Sequence, residues 1–139
     1  MEQSSRLGHK LIPIRYNKSL LTKTTIQMNL FNYQRRKSNE IQIGGTPMGG
    51  DNPIRVQSMT TTATTDTEGS AAQARRIVEA GGEYVRLTTQ GVREAENLRE
   101  INAALRSQGI DTPLVADVHF NARVADVAAL YAEKVRINP

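Results

Sequence analysis

The sequence predicts an α/β fold: the first part of a (β/α)8 barrel, preceded by a β-hairpin and a disordered basic tail. Three observations carry that prediction. Short apolar runs alternate with helix-period stretches at intervals of about 20 to 30 residues, as in βαβ units. The runs share one face that is apolar throughout, and their other face carries ionisable side chains near the strand C-termini. A doubly wound open sheet would need both faces apolar, whereas a closed barrel has room for a polar site at its C-terminal rim.

Composition narrows the classes before any element is placed. The 139 residues are 38% hydrophobic, enough for one domain or a piece of a larger one. No apolar run approaches the roughly 18 residues of a membrane span, so no membrane partner is expected. Cys is absent from the sequence. That removes disulfide scaffolds, thiolate zinc, Cys nucleophiles and any iron–sulfur cluster held by this chain itself. The net charge of +4 resides in a tail: residues 1–39 hold 8 of the 18 Lys and Arg but 1 of the 14 acids, leaving 10 basic against 13 acidic residues. With only Tyr84, Phe120 and Tyr131 as aromatics after residue 39, a stacking surface for nucleic acid is not expected either.

Residues 1–27 are rich in Lys, Ser and Thr and show no period of 2 or 3.6, which reads as a disordered basic extension. Their shortage of acids fits a transit peptide, and an extension upstream of a natural start at Met28 fits equally. Residues 28–139 are then the amino-terminal portion of a barrel domain. Ile41–Ile43 and Ile54–Met59 flank a Gly-rich connection and predict a hairpin whose second arm continues into the main sheet. The glycines lack the Lys-Ser/Thr of a phosphate loop and precede a strand, so they read as turns. Asp66 caps a helix running toward Ala80, with Ala74, Ile77 and Val78 as its stripe and Gly81-Gly82 as its stop. A strand at Glu83–Thr88 follows. The next helix spans about Arg93 to Gln108, with Ala95, Leu98, Ile101 and Leu105 at helical spacing and Gly109 as its stop. Pro113–His119 is a strand, Asn121 to about Glu133 a helix, and Lys134–Asn138 a strand.

Alternation divides each strand into two sets of side chains. Val85, Leu87, Leu114, Ala116, Val118, Val135 and Ile137 form the apolar set. Tyr84, Arg86, Thr88, Val115, Asp117, His119, Arg136 and Asn138 form the other. Two arginines and a histidine converging on one rim predict an anionic ligand, because guanidinium forks match phosphate oxygens in geometry and charge. Pairing of Arg86 with Asp117 is the competing reading, but one acid cannot neutralise both arginines. His119 stands beside Asp117 at a strand end, where it is either a satisfied core residue or part of the site. No metal-ligand spacing and no nucleophile elbow is present, so the catalytic residues are unknown and no metal is assigned to this chain.

The motifs Arg35-Arg36-Lys37-Ser38, Ile43-Gly44, Pro47-Met48-Gly49-Gly50, Pro53 to Thr60, Thr65-Asp66, Val85-Arg86-Leu87, Pro113 to Phe120 and Arg136-Ile137-Asn138-Pro139 occur in this order from about residue 31 to the end. Together they closely resemble the amino-terminal part of the 4-hydroxy-3-methylbut-2-enyl diphosphate synthases. The resemblance implies a TIM-like barrel followed by a separate cluster domain. It implies an iron–sulfur oxidoreductase of non-mevalonate isoprenoid biosynthesis that reductively opens 2-C-methyl-D-erythritol 2,4-cyclodiphosphate. A 4Fe-4S cluster that receives its electrons from ferredoxin or flavodoxin, a homodimer, and a bacterial cytoplasmic (or plastid) setting are also implied. By matching motifs, Arg86, His119 and Arg136 fall on the family's diphosphate contacts, with Asn138 nearby; Gln57, Thr60, Asp117 and Asn121 are weaker candidates for orienting them. The family's cluster ligands are cysteines and a glutamate in the carboxy-terminal domain. The expectation is therefore a fragment that supplies part of the substrate site and is inactive alone. The alternatives are a barrel resembling dihydropteroate synthase and a non-catalytic anion-binding fragment.

Overall fold

A computed structural model describes residues 36–138. The basic extension assigned to residues 1–27, and the start at Met28, lie outside the described residues. Four strands, β1 (Gln57–Met59), β2 (Tyr84–Thr89), β3 (Leu114–His119) and β4 (Lys134–Asn138), alternate with α1 (Thr67–Glu79), α2 (Val92–Ser107) and α3 (Ala122–Ala128). The strands are all parallel and lie in chain order β1-β2-β3-β4. Chain order without reversal is the arrangement of a barrel wall, since a doubly wound sheet changes direction at a switch point.

The helices explain why one strand face is apolar. Ala71 and Ala74 of α1, Ala95, Leu98, Ile101 and Leu105 of α2, and Val124 and Ala128 of α3 form a single buried cluster with Val85, Leu87, Leu114, Ala116 and Val118. Every helix thus covers the same side of the sheet. Val135 packs against this cluster, but Ile137, on the outer strand β4, stays 63% exposed. Asp66 caps α1 as expected, its carboxylate accepting from the Gly69 N–H at 3.0 Å. Gly81 and Gly109 follow the ends of α1 and α2 with φ of +94° and +74°, the left-handed stop that favours glycine.

Two expectations are corrected. The partner of Ile41–Ile43 is not Ile54–Met59 but Met48: Ile41 and Met48 exchange backbone hydrogen bonds of 2.9 Å in each direction. Gly44, at φ +55°, and Gly45 make the two-residue turn, closed by the Thr46 N–H on the Ile43 carbonyl. The chain after residue 53 is instead drawn to the sheet, where the Val56 carbonyl accepts from the N–H groups of Glu83 and Tyr84 at 2.8 and 3.1 Å. The other correction is that α3 ends at Ala128, not near Glu133. Tight turns through Leu130 and Tyr131 release the chain there, and the Glu133 carboxylate is held by the Leu114 N–H at 2.8 Å and by Arg106 at 2.9 Å.

The hairpin has a clear task. Ile43 is buried, and with Met48 it packs on Tyr84 and Val115, the first members of the polar strand face. The Tyr84 hydroxyl donates to the Thr46 carbonyl at 2.6 Å, and its burial pushes the phenol pKa up. The face opposite the helices therefore has an apolar floor at the strand N-termini and a polar rim at their C-termini.

A short repeat links floor to rim. Glu83-Tyr84-Val85-Arg86 and Glu133-Lys134-Val135-Arg136 share the spacing Glu-x-Val-Arg on β2 and β4. Each glutamate sits just before its strand and ties down the start of the strand immediately preceding it in the chain. Glu83 accepts from the Val56 N–H at 2.9 Å and from Arg55 at 2.7 Å, and that backbone bond, followed by Arg55, holds its carboxyl below the usual range. Glu133 likewise accepts from the Leu114 N–H at 2.8 Å and from Arg106 at 2.9 Å. Three residues on, each strand presents an arginine toward β3.

Candidate anion site at the strand C-termini

Asp117 is the centre of the rim. Its side chain is only 4% exposed, and the register sets Thr88 on one side of it and Arg136 on the other. Arg136 Nη1 donates to Oδ1, Arg86 Nε lies 3.6 Å from Oδ2, and His119 Nε2 lies 3.4 Å from the same oxygen. Burial alone would raise the carboxyl pKa. The Arg136 hydrogen bond, the Arg86 charge and the His119 contact together outweigh it and hold the carboxyl below its ordinary value. Two guanidinium groups share one carboxylate, so the cluster keeps a surplus positive charge, and it is reachable: the side chains of Arg86, His119 and Arg136 are 28%, 29% and 45% exposed.

The structure brings Arg86, Asp117, His119 and Arg136 together. Asn138 pairs in register with His119 at the same rim. Gln57 lies lower, opposite Tyr84 at the start of β1, and is exposed. Thr60 follows β1; its N–H donates to the Arg86 carbonyl at 2.9 Å, and its buried hydroxyl has no hydrogen-bond partner among the described residues. Asn121 is occupied otherwise, its carbonyl oxygen accepting from the Arg123 N–H at 3.1 Å to cap α3.

Two residues of the rim escaped the alternation argument. Met59, opposite Arg86 in register, accepts from Arg86 Nε and Nη2 through Sδ at 3.3 and 3.2 Å, which fixes the fork sideways. Phe120, immediately after β3, has φ +57°, the one non-glycine residue among those described with positive φ, and it is 78% exposed. A left-handed backbone at a bulky residue costs on the order of 1–3 kcal/mol and persists only when neighbours enforce it. Here the Phe120 N–H donates to the Asn138 carbonyl at 3.0 Å. Exposed apolar side chains are ordinary, so nothing in sequence alone marks this one; the short strand-to-helix junction His119-Phe120-Asn121 is the only hint.

A groove of about 480 Å³ between α2 and the α3–β4 connection is lined by Arg99, Asn102, Arg106, Tyr131 and Glu133. It shares no residue with the rim, and Arg106 and Glu133 are spent there on one another.

A parallel wall with helices on one side, an apolar floor and a cationic rim defines a barrel segment whose C-terminal end carries surplus positive charge. The GcpE TIM-barrel domain model matches residues 38–139, and the chain belongs to that family. Curated relatives named 4-hydroxy-3-methylbut-2-en-1-yl diphosphate synthase (flavodoxin) match 112 residues, 81% of this chain. The protein of Phocaeicola vulgatus is 75% identical, that of Bacteroides thetaiotaomicron 71%, and that of Porphyromonas gingivalis 56%. The matched region is 18%, 18% and 19% of those proteins, so the chain spans less than a fifth of the length of these relatives. The family match decides for the synthase resemblance over a barrel of the dihydropteroate synthase type.

Proposed function

We propose that this chain is the opening barrel segment of a flavodoxin-dependent 4-hydroxy-3-methylbut-2-enyl diphosphate synthase, and that its rim binds the diphosphate bridge of 2-C-methyl-D-erythritol 2,4-cyclodiphosphate. The observation that carries the reading is the gathering of Arg86, Arg136 and His119 around the single carboxylate of Asp117. Asp117 holds the cations in place without cancelling them, and a diphosphate supplies the remaining negative charge in the bidentate geometry that guanidinium groups favour. Arg86 and Arg136 grip phosphoryl oxygens from the two strands that flank β3, His119 donates from the strand end, and Asn138 lies beside it as a further polar contact. Gln57 and Thr60 extend the polar wall toward β1.

The chain's own residues do not fit the 4Fe-4S cluster that the resemblance implies. The sequence contains no Cys, and no group of three or more potential ligands among the described residues could hold a metal. The role drawn for these residues is therefore to bind and orient the cyclodiphosphate. Flavodoxin as the donor, in preference to ferredoxin, follows from the relatives' names; a homodimer and a bacterial cytoplasmic setting follow from the family resemblance. Among the described residues no helix is long and apolar enough to cross a membrane.

Calorimetric titration with the cyclodiphosphate tests the site. Charge-assisted hydrogen bonds contribute about 1.5 to 3 kcal/mol, so Arg86→Ala or Arg136→Ala is expected to weaken binding roughly 10- to 150-fold. Lys at either position should restore only part of the loss, because it lacks the fork. Unchanged affinity in both Ala variants would remove the rim from the reading.

A further inference from the structure

We propose that Phe120 is a substrate-contacting residue that determines specificity: its ring covers the carbon skeleton of a diphosphate ester whose anionic end is held by Arg86, Arg136 and His119. This rests on the anion-site reading above and adds to it the recognition of the organic part of the ligand. The ring stands at the rim because the backbone of Phe120 is left-handed, at φ +57°, and the Asn138 carbonyl holds its N–H there. A residue in the β region would continue the strand alternation and send the ring toward the helix-covered face. The inverted backbone instead leaves it 78% exposed, with its centroid 5.9 Å from that of His119 and the two rings at 70°. The strained conformation and the exposed aromatic surface coincide at one position, beside the one imidazole of the site. Strain kept at a rim junction, where Gly or Asn would sit at no such cost, is the mark of a side chain retained for what it touches.

A guanidinium cluster alone cannot tell an ester from inorganic diphosphate, since both present the same oxygens. An apolar plate next to the cluster can, by removing the ester's hydrocarbon from water. The experiment uses the full chain and two probes, inorganic diphosphate and the cyclodiphosphate. The variants are Phe120→Asn and Phe120→Gly, which both accept the left-handed backbone, and Phe120→Tyr, which keeps the ring. The expected result is selective. Asn and Gly weaken the cyclodiphosphate about tenfold, a modest fraction of an aromatic side chain's burial, while inorganic diphosphate changes less than about twofold. Tyr binds both as the parent does, and the Gly variant melts no lower than the parent. If Asn and Gly bind the cyclodiphosphate normally while Arg86→Ala loses both probes, the Phe120 proposal fails and the anion site stands. Equal weakening of both probes would assign Phe120 to holding His119 and likewise overturn the proposal. Failure of the parent chain to bind either probe would remove the anion site itself, and the role of Phe120 with it.

Discussion

Asp117 is buried and fixes the geometry of three side chains, Arg86, His119 and Arg136. Replacing it with Asn keeps the shape and removes the charge. Asp117→Asn is expected to destabilise the fold by about 2 kcal/mol, the scale of a charge-assisted hydrogen bond lost in a part-buried setting. The effect has a definite pH dependence. A carboxyl held below its unfolded value contributes stability that is fully present above about pH 4 and is lost as the pH falls through the lower folded value. Acid titration of the melting temperature should therefore be shallower below pH 4 in the Asn variant than in the parent; identical slopes would show that the carboxyl is not held low. At this scale alternation alone placed Arg86, Asp117, His119 and Arg136 on one face. It did not reveal that Asp117 is the shared partner, because diagonal reach between strands depends on side-chain length and register. Nor could it show the backbone inversion at Phe120 or the thioether of Met59 as an acceptor, since neither leaves a periodic trace.

The elements are held by ties that sequence periodicity does not carry. Asp66, the apolar stripe of α2 and the strand at Lys134–Asn138 stand where the sequence places them, because caps and helical spacing are local signals. The end of α3 is not local. Ala129-Leu130-Tyr131-Ala132-Glu133 contains only residues that a helix accepts, and what stops the helix is the distant pull of Leu114, Arg106 and Asn102 on Tyr131 and Glu133. The hairpin's second arm is non-local for a similar reason: Ile54–Val56 alternates well, but the Val56 carbonyl pairs with Glu83 and Tyr84 at the start of β2. Glu133→Ala should thus cost about 1–3 kcal/mol by leaving the Leu114 N–H without its acceptor, and hydrogen exchange at Leu114 should accelerate; retained protection there would refute the tie. Asn121→Ala should cost about 1 kcal/mol as a lost cap, with diphosphate affinity nearly unchanged. A large loss of affinity with little loss of stability would instead return Asn121 to the site.

For the molecule as a whole, the described sheet has β1 and β4 as its outer strands, and Ile137 and Ile54 are exposed apolar side chains on or near them. Unpaired strand edges template association. The chain is expected to show a mass that rises with concentration in sedimentation, and Ile137→Lys should reduce it; a concentration-independent monomer would mean the edges are covered. Deletion of residues 1–27, read as an extension without periodicity, should leave the melting temperature of the remainder unchanged, and a drop of more than a few degrees would count against that reading. The paired Glu-x-Val-Arg segments also bear on how the chain avoids misfolding. Side chains alternate with period two, so a one-residue slip of β2 or β4 would turn its arginine into the apolar layer beneath the helices. The same slip would pull Glu83 or Glu133 off the backbone group it grips. A misaligned strand is penalised at both ends at once, so the one register that seats the glutamates on their backbone groups is also the register that brings both arginines to Asp117.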